Sequence, residues 1–189
     1  MSKIVAGQAG GLPLKAVPGS STRPTTERAK EAIFSWLQSR DWLDNNAVLD
    51  LYTGSGGLAV EAASRGAASV TGVEAARKPA QIAEHNAQII NEALNRDVVT
   101  IKQLPVQRFL GSTEPSSWDL VIADPPYDID DDELLAMIAQ AFHVLMDDGL
   151  FVLETAYKSA EPIWPDDVYV VDARRYGEAM VYFVRRNGY

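Results

Sequence analysis

The chain has 189 residues, 47% apolar and 23% charged, with no cysteine and two histidines. That is one domain of ordinary globular composition, and at this length roughly 70% of the unfolded chain's surface is buried on folding. Disulfide scaffolds, thiol nucleophiles, cysteine-held metal clusters and multi-histidine metal sites are excluded. The net charge of −9 is uneven: residues 1–40 carry +4, residues 41–157 carry −13, and the remainder balances. A basic N-terminal arm on an acidic body is an asymmetry able to orient a polyanion. No apolar run approaches the ~20 residues of a membrane span, and the first residues lack a signal-peptide core. A cytoplasmic protein with no membrane partner is expected.

In chain order, Ile4–Ala6 and Leu12–Ala16 read as short extended stretches, and residues 1–22 as an arm or hairpin ahead of one domain, 23–189. Arg23-Pro24-Thr25-Thr26-Glu27 opens a helix, with Ala29, Ile33, Trp36 and Leu37 on its apolar face. A buried-strand run, Ala47–Leu51, leads through glycines into a helix over Leu58–Ser64. Next come a strand at Ser69–Val73 and a helix at Lys78–Leu94 with Ile82, Ile89 and Ala93 on one side. Val98–Ile101 is a strand, Val106–Leu110 a short helix, Asp119–Ala123 a strand, Glu133–Met146 a helix and Leu150–Glu154 a strand. Asp167–Ala173 and Ala179–Arg186 form an antiparallel hairpin around Arg174–Glu178. Strand–helix alternation with near-continuous apolar strands predicts an α/β fold: a mostly parallel sheet with helices on both faces.

Asp50-Leu51-Tyr52-Thr53-Gly54-Ser55-Gly56-Gly57 stands where the first strand hands over to its helix. Glycines there let the backbone turn tightly and approach a ligand, beside the free N–H groups of a helix N-terminus. Glu74 ends the second strand twenty residues beyond Gly54, where a carboxylate can accept both hydroxyls of a ribose. The candidate cofactor residues are Asp50, Thr53, Gly54, Ser55, Gly56, Glu74 and Ala75. NAD and S-adenosylmethionine both suit this geometry. The acid Asp50 beside the loop favours S-adenosylmethionine, which is cationic at sulfur and carries an ammonium.

Asp124-Pro125-Pro126-Tyr127 follows the strand that ends at Ala123, on the sheet edge where open α/β folds bind ligands. The prolines stiffen the turn and donate nothing, so nearby carbonyls stay free as acceptors. An exocyclic base amine is a poor nucleophile because its lone pair is delocalised into the ring. The Asp124 carboxylate and the Pro125 carbonyl can each accept one of its N–H groups, favouring a pyramidal nitrogen, while Tyr127 stacks on the base. Asp124 must be ionised for this, so the rate is expected to fall in acid.

These motifs resemble the S-adenosylmethionine-dependent amino-methyltransferases with an Asp-Pro-Pro-Tyr signature, and more narrowly the RsmD family, which methylates a guanine N2 amine in 16S ribosomal RNA. The resemblance rests on Arg23-Pro24-Thr25-Thr26-Glu27-Arg28 with Ile33-Phe34, on Asp50–Gly57 with Glu61-Ala62 and Ser64–Ala67, and on the tetrad. It implies a Rossmann-like class I fold of seven strands, with Gly54 and Gly56 against the cofactor and Glu74 on its ribose. It places the catalytic residues Asp124, Pro125, Pro126 and Tyr127 at the target amine, with Arg23 and Thr25 at the pocket mouth as substrate contacts beside Tyr127. Two positions depart from the family pattern: Gly10-Gly11 leads into Leu12-Pro13-Leu14 rather than into basic residues, and Pro105 stands where relatives carry an Asp or Asn near the adenine amine.

The expected partner is 16S rRNA within a protein-bearing small-subunit particle, met by a monomer. Deleting residues 1–22 is expected to weaken RNA binding and flatten its salt dependence. The rivals are an amino-methyltransferase acting on DNA adenine or another RNA, a dinucleotide-dependent oxidoreductase, and a non-catalytic cofactor-binding RNA module. The acids at Asp128 and Asp130–Glu133 read as favourable charge at the next helix's N-terminus rather than as a metal site. Arg174, Arg175, Arg185 and Arg186 are candidates for phosphate contacts or solvated hairpin ends.

Overall fold

The computed structural model describes residues 2–17 and 27–188, with only the backbone of Glu27 and Arg28. Arg23 and Thr25, and the turn that holds them, lie outside the described residues. Seven strands form one sheet: β1 (Ala47–Leu51), β2 (Ser69–Glu74), β3 (Val99–Gln103), β4 (Trp118–Ala123), β5 (Leu145–Ala156), β6 (Val168–Tyr176) and β7 (Ala179–Arg186). Their order is β3-β2-β1-β4-β5-β7-β6, parallel except where β7 pairs with β5 and β6. The helices are α1 (Glu27–Gln38), α2 (Gly57–Ser64), α3 (Arg77–Leu94), α4 (Val106–Leu110) and α5 (Asp131–Val144). This is the expected α/β class I architecture.

The central strand runs 48–51, 120–123 and 150–153 are nearly all apolar because each serves two cores. Val48, Leu120, Ile122, Leu150 and Val152 face one, with Phe34, Val60 and Ile90 of the helices on that side. Leu49, Leu51, Val121, Phe151 and Leu153 face the other, with Met137 and Phe142 of α5. Alternate residues of one strand therefore point to opposite layers, as a sheet covered on both faces requires.

Three details differ from the sequence reading. The buried face of α3 is Ala80, Ala83, Asn86, Ala87 and Ile90; Ile82 and Ile89 are half-buried and Ala93 is exposed. Small residues win that face because α3 packs closely on the glycine loop. A Cβ on Gly56 would lie 3.3 Å from the Cα and Cβ of Ala83. Helix α5 starts two residues early because the Asp130 side chain accepts the N–H of Asp132 at 2.9 Å, drawing the acids into the first turn. Strand β5 starts at Leu145, which pairs with Trp118, and β6 runs on to Tyr176.

Residues 2–17 form a compact hairpin-like loop docked on α2. A bridge joins Lys3 to Pro13, and Ile4, Ala9 and Leu14 are buried in the core. The Glu61 carboxylate, wholly buried on α2, accepts N–H groups from Val5 (2.8 Å) and Ala6 (3.0 Å). It also pairs with Arg65 at 2.8 Å and with Lys30 of α1 at 3.4 Å. Gly7 sits against α2 with φ +85°, so close that a Cβ would meet the Ser64 carbonyl oxygen at 2.1 Å. Lys30, one of the basics counted in the N-terminal excess, is thus spent inside the protein. Deleting residues 1–22 would open the core and strip Glu61 of the Val5 and Ala6 N–H groups, so it is not a clean probe of RNA contact. The exposed Lys3 and Lys15 are the side chains to change.

Candidate active site

Two chain reversals meet at one sheet edge. β1 and β4 are neighbours, with Leu51 paired to Ala123, and the strand order runs outward from them in opposite directions. At such a switch point the loops leaving the carboxyl ends diverge and leave a crevice. The loop after β1 is Tyr52–Gly56; the loop after β4 is the Asp124–Tyr127 tetrad. The backbone N–H of Asp124 points at the Leu51 carbonyl, 3.4 Å away.

The glycine loop is held from three sides. Its backbone is left-handed at Tyr52 (φ 59°), Gly54 (φ 57°) and Gly56 (φ 81°), so the reversal begins before the glycines. From β2, Val73 accepts the N–H of Thr53 at 2.9 Å, and Glu74 accepts the N–H groups of Gly54 (3.0 Å) and Ala76 (2.7 Å). From α3, the buried Asn86 donates to the Ser55 carbonyl at 2.8 Å. From beneath, Asp50 accepts the Thr53 hydroxyl. Burial, opposed by that hydrogen bond and reinforced by the charges of Asp124 and Glu74, pushes the Asp50 carboxyl up to about 7. Burial likewise pushes the Tyr52 phenol up to about 12, helped by the charge of Glu133.

These features fit a nucleoside cofactor that carries positive charge. A Cβ would crowd the turn at Gly56, the α2 N-terminus begins at Gly57, and a carboxyl sealed from solvent lies below the loop, held also by the backbone N–H of Ala59. Glu74 uses its carboxylate on the loop itself, but a carboxylate has about four acceptor positions, leaving room for ribose hydroxyls. Thr53, Gly54, Ser55 and Gly56 are thus brought together over Asp50, and exposed Ala75 follows Glu74 at the rim.

On the tetrad side, Pro125 is buried, Asp124 and Tyr127 are half-buried and Pro126 is exposed. Beyond Tyr127 a cleft of about 190 Å³ opens between the tetrad, the start of α5 and residues 159–163. Glu154, two residues before the end of β5, forms part of its wall, with Oε1 3.5 Å from the Tyr127 hydroxyl. The hairpin arginines are all engaged locally. Arg174 pairs with Asp172, Arg175 lies over the Tyr157 ring, Arg185 donates to the Asp148 carbonyl, and Arg186 pairs with Asp167.

Asn86 and Glu154 were not singled out from the sequence. A signal for each was present: a polar residue among alanines on an apolar helix face, and an acid closing an apolar run.

Residues 2–185 match the family model described as conserved hypothetical protein 95. YlbH of Bacillus subtilis, provisionally named an rRNA methyltransferase, is 29% identical over 98% of this chain and 100% of its own length. Ribosomal RNA small subunit methyltransferase D of Escherichia coli is 32% identical over 66% of this chain and 60% of that protein. The solved structure of Escherichia coli yhhF, provisionally named a methyltransferase, superposes with a TM-score of 0.82 at 27% identity, covering 100% of this chain and 99% of that one. With the sheet order and the two loops at its switch point, these matches establish that the chain belongs to the conserved hypothetical protein 95 family, the RsmD family of rRNA methyltransferases.

Proposed function

We propose that this chain, an rRNA methyltransferase that uses S-adenosylmethionine, places the methyl group on the exocyclic N2 amine of a guanine in 16S rRNA. The observation that carries this reading is the pairing of β1 with β4, which sets the glycine loop and the tetrad on one crevice. A dinucleotide oxidoreductase would use the loop and leave the tetrad without a task. Bound S-adenosylmethionine supplies an electrophilic methyl group on a sulfonium. Gly54, Ser55 and Gly56 give it backbone to lie against, Glu74 and Ala75 meet its ribose, and Asp50 with Thr53 offers negative charge beneath the loop.

The Asp124 carboxylate and the Pro125 carbonyl accept the two N–H groups of the target amine, and Tyr127 holds the base plane, with Pro126 fixing the turn between them. Held this way between Asp124 and Pro125, the nitrogen would present its lone pair to the methyl group, and the electron pair of the S–C bond would stay on sulfur. The nitrogen becomes cationic only then, and its proton departs to Asp124 or solvent. The target guanine must leave its stack to enter a pocket at this sheet edge. Arg23 and Thr25 serve as substrate contacts.

The N-terminal hairpin is packed into the domain core, so it works as part of that domain, with exposed Lys3 and Lys15 turned to the RNA, as a monomer in the cytoplasm. No helix among the described residues is long and apolar enough to cross a membrane. With a net charge of −9, a protein-bearing small-subunit particle is a better substrate than bare RNA. Transfer of labelled methyl to unmodified small subunits, bare 16S rRNA and DNA, with Asp124→Ala as control, tests the reading. Label on guanine N2 of the particle, reduced at least about 100-fold in the control, is expected. Label confined to DNA or to another RNA overturns the substrate, and cofactor binding without transfer anywhere overturns the reaction.

A further inference from the structure

The cleft beside the tetrad holds an ionisable group to which the reaction above gives no task. Glu154 is only 6% exposed, yet it lies on the cleft wall. Its position is fixed by register: Leu153 pairs with Ala123, so Glu154 and Asp124 each stand one step beyond a paired couple on adjoining strands. On its other side Glu154 pairs with Val181 of β7, locking the backbone from both edges. The ring of Tyr127 is the shared boundary, its hydroxyl 3.5 Å from Glu154 Oε1. Pro125, Leu134, Ala160 and Ile163 make most of the remaining wall apolar, a surface suited to the faces of a planar base.

A carboxylate accepts hydrogen bonds and donates none while ionised. On guanine the N2 amine is flanked by N1–H, a donor. On adenine the atom flanking the amine is N1 without hydrogen, an acceptor, and a carboxylate facing it is repelled. We infer that Glu154 is a specificity-determining residue: it accepts N1–H of the target guanine while Asp124 and Pro125 hold the N2 amine, and it turns adenine away. The inference rests on the guanine reading proposed above and extends it from which atom is methylated to how the base is chosen. Acceptance of N1–H does not require Glu154 to lack partners beforehand, because its two oxygens can take several donors at once.

The test uses small subunits reconstituted with 16S rRNA in which the labelled guanine is replaced by 2-aminopurine. That base keeps the 2-amine but presents an acceptor at N1. Wild-type protein is expected to lose at least about tenfold in kcat/KM on this substrate. Glu154→Gln, whose amide can donate to an acceptor, is expected to lose activity on guanine and to bring the two substrates within about threefold of each other. Its affinity for S-adenosylmethionine, measured by titration, is expected to stay within twofold of wild type, which reports an intact fold. Wild-type protein that methylates both bases equally overturns the inference without any variant. So does a Glu154→Gln protein that keeps the wild-type ratio. Absence of guanine labelling by wild type instead removes the reading beneath it, a different and separately visible outcome.

Discussion

At the scale of single residues, Asp50 shows how burial turns a common side chain into a tuned one. It lies under the glycine loop, fully enclosed, with the Thr53 hydroxyl on Oδ2 and the charges of Asp124 and Glu74 close enough to add to the cost of ionising it. A carboxyl at about 7 instead of 3.8 binds its proton through the acidic range. In the unfolded chain the same group ionises near its ordinary value, so between about pH 4 and 7 the folded state holds more protons. This group's contribution to stability therefore falls as pH rises through that window and is constant above it. A cationic cofactor over the loop reverses the preference, because it favours the ionised form. S-adenosylmethionine affinity is accordingly expected to rise with pH up to about 7 and level off above it, with proton release on binding below pH 7. Calorimetric titration in buffers of different ionisation enthalpy reads this directly. Binding with no proton release at pH 6 would show that the cofactor does not sense Asp50. The acid was visible in the sequence at its place before the glycines. Its depth was not, because the two neighbouring strands that enclose it come from residues 69–74 and 118–123.

At the scale of elements, helix α3 ties together parts of the chain that are far apart in sequence. Asn86 accepts the N–H of Lys15 at 2.9 Å and donates to the Lys15 carbonyl at 3.0 Å, while also donating to the Ser55 carbonyl at 2.8 Å. One buried amide thereby joins the N-terminal hairpin to the cofactor loop. Removing it leaves the Lys15 N–H and the Ser55 carbonyl unpaired in a part-buried setting, at a cost of about 1–3 kcal/mol. Asn86→Ala is expected to weaken S-adenosylmethionine binding by about tenfold or more while kcat at saturating cofactor stays near wild type. Steady-state kinetics with varied cofactor separates the two. An unchanged cofactor KM with a fallen kcat would mean that Asn86 does not position the loop. Periodicity alone put Ile82, Ile89 and Ala93 on the buried side of α3. The competing demand was close approach to Gly56, which only small residues satisfy and which no local pattern announces.

At the scale of the whole molecule, the mostly parallel sheet and the position of both reactive loops were legible because the strands that carry the site are short apolar runs closed by their own signals: glycines after β1, Glu74 at the end of β2, the tetrad after β4. Less legible was the docking of residues 2–17. Lys3 and Lys15 look like a basic arm in sequence, but Ile4, Ala9 and Leu14 belong to the core, and α2 supplies Glu61 and Ser64 to hold the loop's backbone. The same Glu61 takes Lys30 out of the surface charge, so the free positive charge of the N-terminal region is smaller than counting suggests.

The central claim is that the glycine loop and the tetrad face one reaction space across the β1–β4 boundary. A crystal structure of the protein with S-adenosylhomocysteine tests it most directly. The account predicts the ribose hydroxyls on Glu74, the amino-acid end against Gly54–Gly56 above Asp50, and the sulfur turned toward Asp124 with room for a base between it and Tyr127. Cofactor bound on this loop with its sulfur directed away from the tetrad, or bound elsewhere on the sheet, would contradict it.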